Sequence, residues 1–306
     1  MFTIYLPIAE MSVNLFLLLG LGMGVGFLSG LFGVGGGFLM TPLLIFVGIP
    51  PVVAVSTQLI QVLAASFTGF LTYWRRDNVD LRMGATLVSG GLVGAVTGIA
   101  VFAVLRSLGQ IDFAISLTYV VLLGSVGVLT LSEAVRSLWR GKAGRRRRKL
   151  HDHNRLLRLP FKVRYRRSRL YISVVPPILI GAFVGLLAAI MGVGGGFILV
   201  PAMVFLLGMP TVMAIGTSLF QIIFVTGAVA ILHAYENATV DAVMALLLAV
   251  GGVIGARWGA QMGLGMRAEY LRLGFGAVVL AVALEVAFRL VSRPGEIYSL
   301  TEVAMR

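Results

Sequence analysis

Ten apolar runs occupy most of this chain, and their lengths restrict it more than any other feature. They lie at roughly 15–32, 38–47, 52–73, 84–105, 113–135, 172–191, 197–207, 211–233, 242–260 and 272–291. Six of them are about 19–23 residues long, enough for a helix to cross a hydrocarbon core of about 30 Å. Runs 15–32 and 172–191 are borderline, and runs 38–47 and 197–207 are too short to cross. Strict alternation is absent and the runs are long, so the pattern disfavours β-barrel strands. Of 306 residues, 58% are hydrophobic and 12% are charged, against about 25% charged in an ordinary soluble domain. A soluble core could not hide that much apolar surface. The fold class is therefore an all-α polytopic membrane protein, and a soluble enzyme, a DNA-binding domain and a disordered regulator are excluded as readings of the whole chain.

Charge is concentrated in one place. Lys and Arg number 25 against 12 Asp and Glu. Residues 138–170 hold 14 of the basic residues and a single acid, Asp152, so this segment alone accounts for the net charge of +13. No Lys or Arg precedes Arg75. Without a basic n-region, residues 1–30 are not read as a cleaved signal peptide. Cysteine is absent, which removes disulfides, thiolate metal sites and a cysteine nucleophile. The sequence calls for no metal site and no cofactor.

The chain repeats itself. Gly33-Val34-Gly35-Gly36-Gly37-Phe38 recurs as Gly192-Val193-Gly194-Gly195-Gly196-Phe197, an offset of 159, and Pro42 keeps that offset with Pro201. After one-residue slips, Thr57, Leu59 and Gln61 match Thr217, Leu219 and Gln221, and then Asp80, Gly91, Gly94 and Gly98 match Asp241, Gly252, Gly255 and Gly259. Polar positions take part, which apolar composition alone does not produce. Two homologous halves follow: a first membrane repeat over 1–137, a basic loop over 138–170 and a second membrane repeat over 171–306.

Each half reads as a glycine-broken helical hairpin plus three transmembrane helices. Consecutive glycines cost about 1 kcal/mol each in a helix interior, and irregular backbone at membrane depth needs protein or a watery cavity around it. A hairpin returns the chain to its starting side, so three further spans reverse the second half relative to the first. The positive-inside rule puts 138–170 in the cytoplasm together with Arg75, Arg76, Arg82, Arg267 and Arg272, and puts the acidic 234–241 segment outside. Arg289 and Arg293 count the other way. Inverted repeats are the expectation, with parallel halves as the competing arrangement.

The paired Gly-Val-Gly-Gly-Gly-Phe segments, each followed by Pro42 or Pro201 and a Ser/Thr-Gln stretch, resemble the sulfite exporter TauE/SafE family, also called the 4-toluene sulfonate uptake permease family. The resemblance covers both halves. It implies secondary transport of a sulfur-containing anion, such as sulfite or an organosulfonate, across a bacterial inner membrane, and no enzymatic activity.

The glycine breaks are the first candidate site. Gly35, Gly36 and Gly37, with Gly194, Gly195 and Gly196, would leave free N–H groups at the starts of short helices 38–47 and 197–207, where the helix dipole favours an anion. The other reading is close packing of helices, which suits Gly20, Gly22, Gly24, Gly26 and Gly30 better. No Gly-Lys-Ser/Thr follows, so a phosphate loop is not supported.

Ser56, Thr57, Gln58 and Gln61, with Thr217, Ser218 and Gln221, form the second set. Uncharged hydroxyls and amides can donate to a sulfonate oxygen without a buried charge, or simply bond neighbouring helices. Thr41 has no polar counterpart, since Val200 takes that place. Arg257 and Glu285 interrupt apolar runs and could carry coupling or pair with each other, although Arg257 sits near a cytoplasmic end where arginine snorkels. Glu133 and Arg136 read as a surface pair. Tyr73 and His233 end corresponding spans and read as interface markers. The run Arg145-Arg146-Arg147-Arg148-Lys149 suits anionic lipid headgroups, and nucleic acid is not expected as a partner. A homodimer is compatible with the sequence. The competing function is a non-transport membrane scaffold that uses its glycines for packing.

Overall fold

The computed structural model describes residues 3–109, 111–139, 161–165, 167–168, 170–237 and 240–292. The basic cluster Arg145–Lys149 lies outside these described residues. The chain runs β1 (Thr3–Leu6), β2 (Met11–Asn14), α1 (Leu15–Phe32), α2 (Gly37–Val47), α3 (Pro51–Trp74), α4 (Leu81–Ser107), α5 (Ile111–Trp139), β3 (Lys162–Tyr165), β4 (Leu170–Ser173), α6 (Val175–Met191), α7 (Gly196–Phe205), α8 (Thr211–Asn237), α9 (Ala242–Gly265) and α10 (Ala268–Ser292). Seven of the helices contain a stretch long and apolar enough to span a membrane, and α2, α6 and α7 are shorter apolar helices.

The glycine segments end one helix and begin another. Gly33 closes α1 in the left-handed conformation (φ 69°) and donates its N–H to Ser29. Gly192 closes α6 in the same way (φ 69°), donating to Ala188. Gly35 and Gly36 also have positive φ, and so do Gly194 and Gly195. An L-residue pays roughly 1–2 kcal/mol in that region, so three of the five positions in each segment require glycine. The fourth glycine of each segment is required sterically. A methyl on Gly37 would lie 2.7 Å from the Val193 Cα, and one on Gly196 2.4 Å from the Val34 carbonyl oxygen. The two breaks therefore touch each other.

Each short helix turns back along its predecessor. Gly36 returns against Val25 and Ser29 of α1, and Gly48, just past α2, lies beside Met11, just before α1. Leu207 and Met209, just past α7, share a core cluster with Val163 and Tyr165, ahead of α6. The hairpins expected from the glycine breaks are present.

The sequence reading contains no strands, yet two β-hairpins precede the helical hairpins. Thr3 pairs with Asn14 and Leu6 with Met11; Lys162 pairs with Ser173 and Tyr165 with Leu170. All four strand boundaries are displaced by 159 residues, the offset of the glycine segments. The last part of the basic loop is thus a folded hairpin leading into α6. Backbone pairing needs no particular side chains here, so the two hairpins keep their place without keeping their sequence.

The halves exchange helices. Methyls on Gly22, Gly26 and Gly30 of α1 would strike Leu248, Gly252 and Ala256 of α9 at 2.2–2.6 Å, an alignment in which α1 and α9 run parallel. Gly90, Gly94 and Gly98 of α4 meet Ile178, Ala182 and Leu186 of α6 in the same sense, at 1.9–2.6 Å. Small residues four apart let these backbones meet. Gly20 and Gly24, expected in the same stripe, have no neighbour within 4 Å. Helices α3 and α8 pack antiparallel, with Gly69 against Leu219 and Gly216 against Tyr73. Helices α5 and α10 are antiparallel too, with Gly127 against Leu280 and Gly276 against Leu131.

Two buried aspartates lock this exchange. Asp80 caps α4 by accepting from the Arg82 and Met83 amides, and its other oxygen accepts from the Ser168 amide (3.0 Å) and hydroxyl (2.6 Å) in the second hairpin. Asp241 caps α9 through Met244 (3.0 Å) and accepts from the Ile8 amide (3.1 Å) in the first hairpin. Each aspartate thus holds the other half's hairpin.

Candidate functional site

The site is built where the two glycine breaks cross. Methyls at Gly35 and at Gly194 would both rest on Val62 of α3 and Ile222 of α8, at 2.9–3.3 Å. These two side chains hold corresponding places in the repeat. One residue before each stands a glutamine. Gln61 and Gln221 are fully buried, and neither the amide nitrogen nor the oxygen of either has a hydrogen-bond partner. Each lies beside a repeat-matched glycine, because a methyl at Gly252 would come 2.9 Å from the Gln61 Nε2, and one at Gly91 2.9 Å from the Gln221 Nε2. The hydroxyls of Ser29, Ser66 and Thr226 and the Gln58 Oε1 are also buried without partners. Ser29 and Thr226 border the breaks at Gly36 and Gly194 respectively. Leaving one buried polar group unpaired costs about 1–3 kcal/mol, and native interiors contain few.

Helices α2 and α7 begin at this crossing, with Gly36 and Gly195 as their N-caps and no side-chain cap on either. Backbone bonding starts with the Leu39 amide to Gly36 and the Ile198 amide to Gly195. Among the described residues, no acceptor faces the N–H groups of Gly36, Gly37 and Phe38, or of Gly195, Gly196 and Phe197. Two partial positive charges therefore meet unpaired donors. Among the described residues the only buried charges are Asp80 and Asp241, both occupied as caps. The field at the crossing is thus set by helix ends and amides, without arginine or lysine.

The carbonyl side of each break is tied off. Ser218 donates to the Gly33 carbonyl at 2.6 Å. Its counterpart Gln58 donates to the Gly192 carbonyl at 2.9 Å and is also bonded to Thr41. Tyr119 donates to the Met191 carbonyl at 3.2 Å. Thr41, Gln58 and Tyr119 make one polar cluster with no mirror image in the other half, since Val200 replaces Thr41. Tyr119 was not singled out from the sequence; a lone tyrosine in the apolar run 113–135 was the available signal.

The remaining candidates divide clearly. Thr57 accepts the Asp241 amide and Thr217 the Asp80 amide, both at 3.0 Å, so each joins the halves. Ser56 bonds back to Val52 in its own helix at 2.8 Å. Arg257 and Glu285 are exposed on α9 and α10, and they do not pair with each other. Their positions inside apolar runs gave no information about which helix face they occupied. Tyr73 and His233 are fully buried. Tyr73 reaches the Gly30 carbonyl (3.5 Å) and His233 the Ala189 carbonyl (2.9 Å), which are repeat-matched positions in the last turns of α1 and α6. Aromatic rings there close the carbonyl ends of the incoming helices. The Glu133 side chain lies outside the described residues.

A doubled, interlocked helical membrane fold with two broken helices meeting at an uncharged polar centre defines a membrane transporter. The chain belongs to the sulfite exporter TauE/SafE family, whose model matches residues 18–286. It is 31% identical over 280 residues to a probable membrane transporter protein of Xylella fastidiosa (strain 9a5c), covering 90% of this chain and 96% of that one. A probable membrane transporter protein of Bacillus subtilis (strain 168) is 27% identical over 279 residues, 90% of this chain and all of its own. One from Methanocaldococcus jannaschii is 25% identical over 283 residues, 88% and 94% of the two chains. No solved structure matches.

Proposed function

We propose that this protein moves a small sulfur-containing oxyanion, sulfite or a short organosulfonate, across a bacterial inner membrane, holding it where the two glycine breaks cross. One observation carries this reading: Gln61 and Gln221 are buried with both amide ends unpartnered, each one residue from the side chain that packs on both glycine breaks, where the first N–H groups of two helices also make no hydrogen bond. An oxyanion presents several acceptor oxygens and satisfies such donors, and a helix terminus stabilises it without the cost of a buried cation. Packing accounts for Gly22, Gly26 and Gly30 but supplies no partner for these amides.

The antiparallel contacts of α3 with α8 and of α5 with α10 support two inverted repeats. In that arrangement the halves rock about the shared crossing and expose it alternately to each side. Arg167 pairs with Asp77 at 3.1 Å, so the end of the basic segment shares a membrane face with the Arg75–Arg82 turn. Positive charge on both makes that face cytoplasmic in this reading. The run Arg145–Lys149 then lies against anionic headgroups, which flotation with anionic against zwitterionic vesicles tests. The functional test is flux: purified protein in liposomes should give saturable uptake of labelled sulfite or ethanesulfonate, and flux equal to that of empty liposomes for both anions would reject the proposal.

A further inference from the structure

We infer that the site selects the singly protonated form of its oxyanion, hydrogen sulfite rather than the sulfite dianion, and prefers a ligand with a hydroxyl to a sulfonate without one. The inference rests on the transport reading above and narrows its substrate. It comes from the acceptors left open at the site. The Oε1 atoms of Gln58, Gln61 and Gln221 are buried, and none accepts a hydrogen bond. Any oxyanion can meet open N–H groups. An amide oxygen needs a donor, and a fully ionised oxyanion has none. The orientation of the amides does not change this. Neither end of Gln61 or Gln221 has a partner, and an amide turned end for end still presents one donor end and one acceptor end.

The open amides stand close to the two helix starts. Gln61 lies at Gly252, the residue that Gly26 of α1 packs against, and Val25 and Ser29 of the same helix flank Gly36, the N-cap of α2. The second half repeats the arrangement. Gln221 lies at Gly91, Gly185 of α6 packs against Gly91, and the adjacent Val184 faces Gly195, the N-cap of α7. Gln58 reaches the carbonyl of Gly192, where the second break begins, at 2.9 Å. The hydroxyls of Ser66 and Thr226, matched in the repeat like Gln61 and Gln221, are also buried without partners. Thr226 Oγ1 lies 3.1 Å from a methyl built on Gly194. A hydroxyl turns to suit its partner, so these two adapt to the ligand while the amide oxygens select it. Charge points the same way. Among the described residues the buried carboxylates Asp80 and Asp241 are acids already used as caps, so they offset no second negative charge on the ligand. Hydrogen sulfite carries one charge, offers oxygens to the N–H groups and brings one O–H for an amide oxygen. The dianion takes up a proton from water before binding and returns it after release, so one proton and one net negative charge cross together.

Methylphosphonate and methanesulfonate test this directly. They share a shape and, below the second ionisation of methylphosphonate, a single negative charge, but only methylphosphonate then carries a hydroxyl. Each competes with labelled sulfite for uptake into proteoliposomes. Below that ionisation methylphosphonate should compete at a concentration at least about tenfold lower than methanesulfonate, because a site built to bond a hydroxyl rejects the analogue that lacks it. The advantage should vanish as rising pH removes the hydroxyl. Methanesulfonate does not titrate over this range, so the ratio of the two corrects for titration of the nearby Tyr73, Tyr119 and His233, which lie on the Gly30, Met191 and Ala189 carbonyls. Equal competition on the acidic side, or an advantage that persists after the second ionisation, overturns the proposal and leaves oxyanion transport standing. Absence of any sulfite uptake retires the transport reading and this proposal with it.

Discussion

Replacing Gln61 or Gln221 with methionine should raise stability and abolish anion binding together. Each glutamine buries two polar side-chain atoms with no partner, and each such group costs about 1–3 kcal/mol. Methionine has nearly the same length and is unbranched, so it fills the space beside Gly252 or Gly91 without the polar cost. A gain of about 1–3 kcal/mol per site follows, after allowance for imperfect packing, or a few degrees in the unfolding midpoint. The wild-type protein should gain about 2.7 kcal/mol from an anion supplied at a hundredfold its dissociation constant, and the variants should gain almost none. The assay is thermal unfolding of purified protein in detergent, with and without ethanesulfonate. Variants that lose stability yet keep the full anion-induced shift would refute the argument, because the amides would then be structural and the anion bound elsewhere. A trade of stability for function at a buried polar pair is the expected pattern for a working site.

Three further outcomes follow from the packing. Gly195→Ala places a methyl 2.1 Å from Val184 Cγ1 at φ 74°, so folded yield should fall with a loss of about 2–5 kcal/mol from backbone strain and overpacking; Gly24→Ala, with nothing within 4 Å, should be neutral or gain up to about 1 kcal/mol. Asp80→Asn turns one acceptor oxygen into a donor facing the Ser168 amide and hydroxyl, and should cost about 1–3 kcal/mol in thermal unfolding; Asp241→Asn, with one fewer bond to its hairpin, should cost less. Single cysteines at Asn237 and Ala268 should react with impermeant reagent from opposite sides, Asn237 from the periplasm. Labelling of Asn237 from the cytoplasm and of Ala268 from the periplasm would restore parallel halves.

Much of the fold is legible in the sequence because it depends on local backbone rules. Gly33, Gly35 and Gly36 need positive φ and Gly37 needs contact with Val193, so the break had to be spelled in glycine, twice. The span lengths and the Gln61 and Gln221 pair are legible for a similar reason: apolar runs and repeated polar positions survive at fixed offsets. The partners are not. That α1 packs on α9 rather than within its own half depends on Gly22, Gly26 and Gly30 meeting Leu248, Gly252 and Ala256 across more than 200 residues, and no local pattern encodes that choice. The same limit hid the roles of Asp80 and Asp241, whose match in the repeat was visible but whose hairpin partners were not. Helix facing was not legible at Arg257 and Glu285, which sit on exposed faces, nor at Tyr73 and His233, which are buried against carbonyl ends. The hairpins at 3–14 and 162–173 share an offset and no residues, so repeat detection passes over them.

The central claim is that an oxyanion sits between two helix N-termini at the crossing of the glycine breaks. Selenite mimics sulfite and scatters X-rays anomalously, so a crystal of the protein soaked in it locates the anion without assumptions about contacts. The account predicts one strong anomalous peak between Gln61 and Gln221, its oxygens about 2.7–3.2 Å from amide nitrogens of Gly36–Phe38 or Gly195–Phe197. A peak confined to the exposed arginines, with none at the crossing, would contradict it.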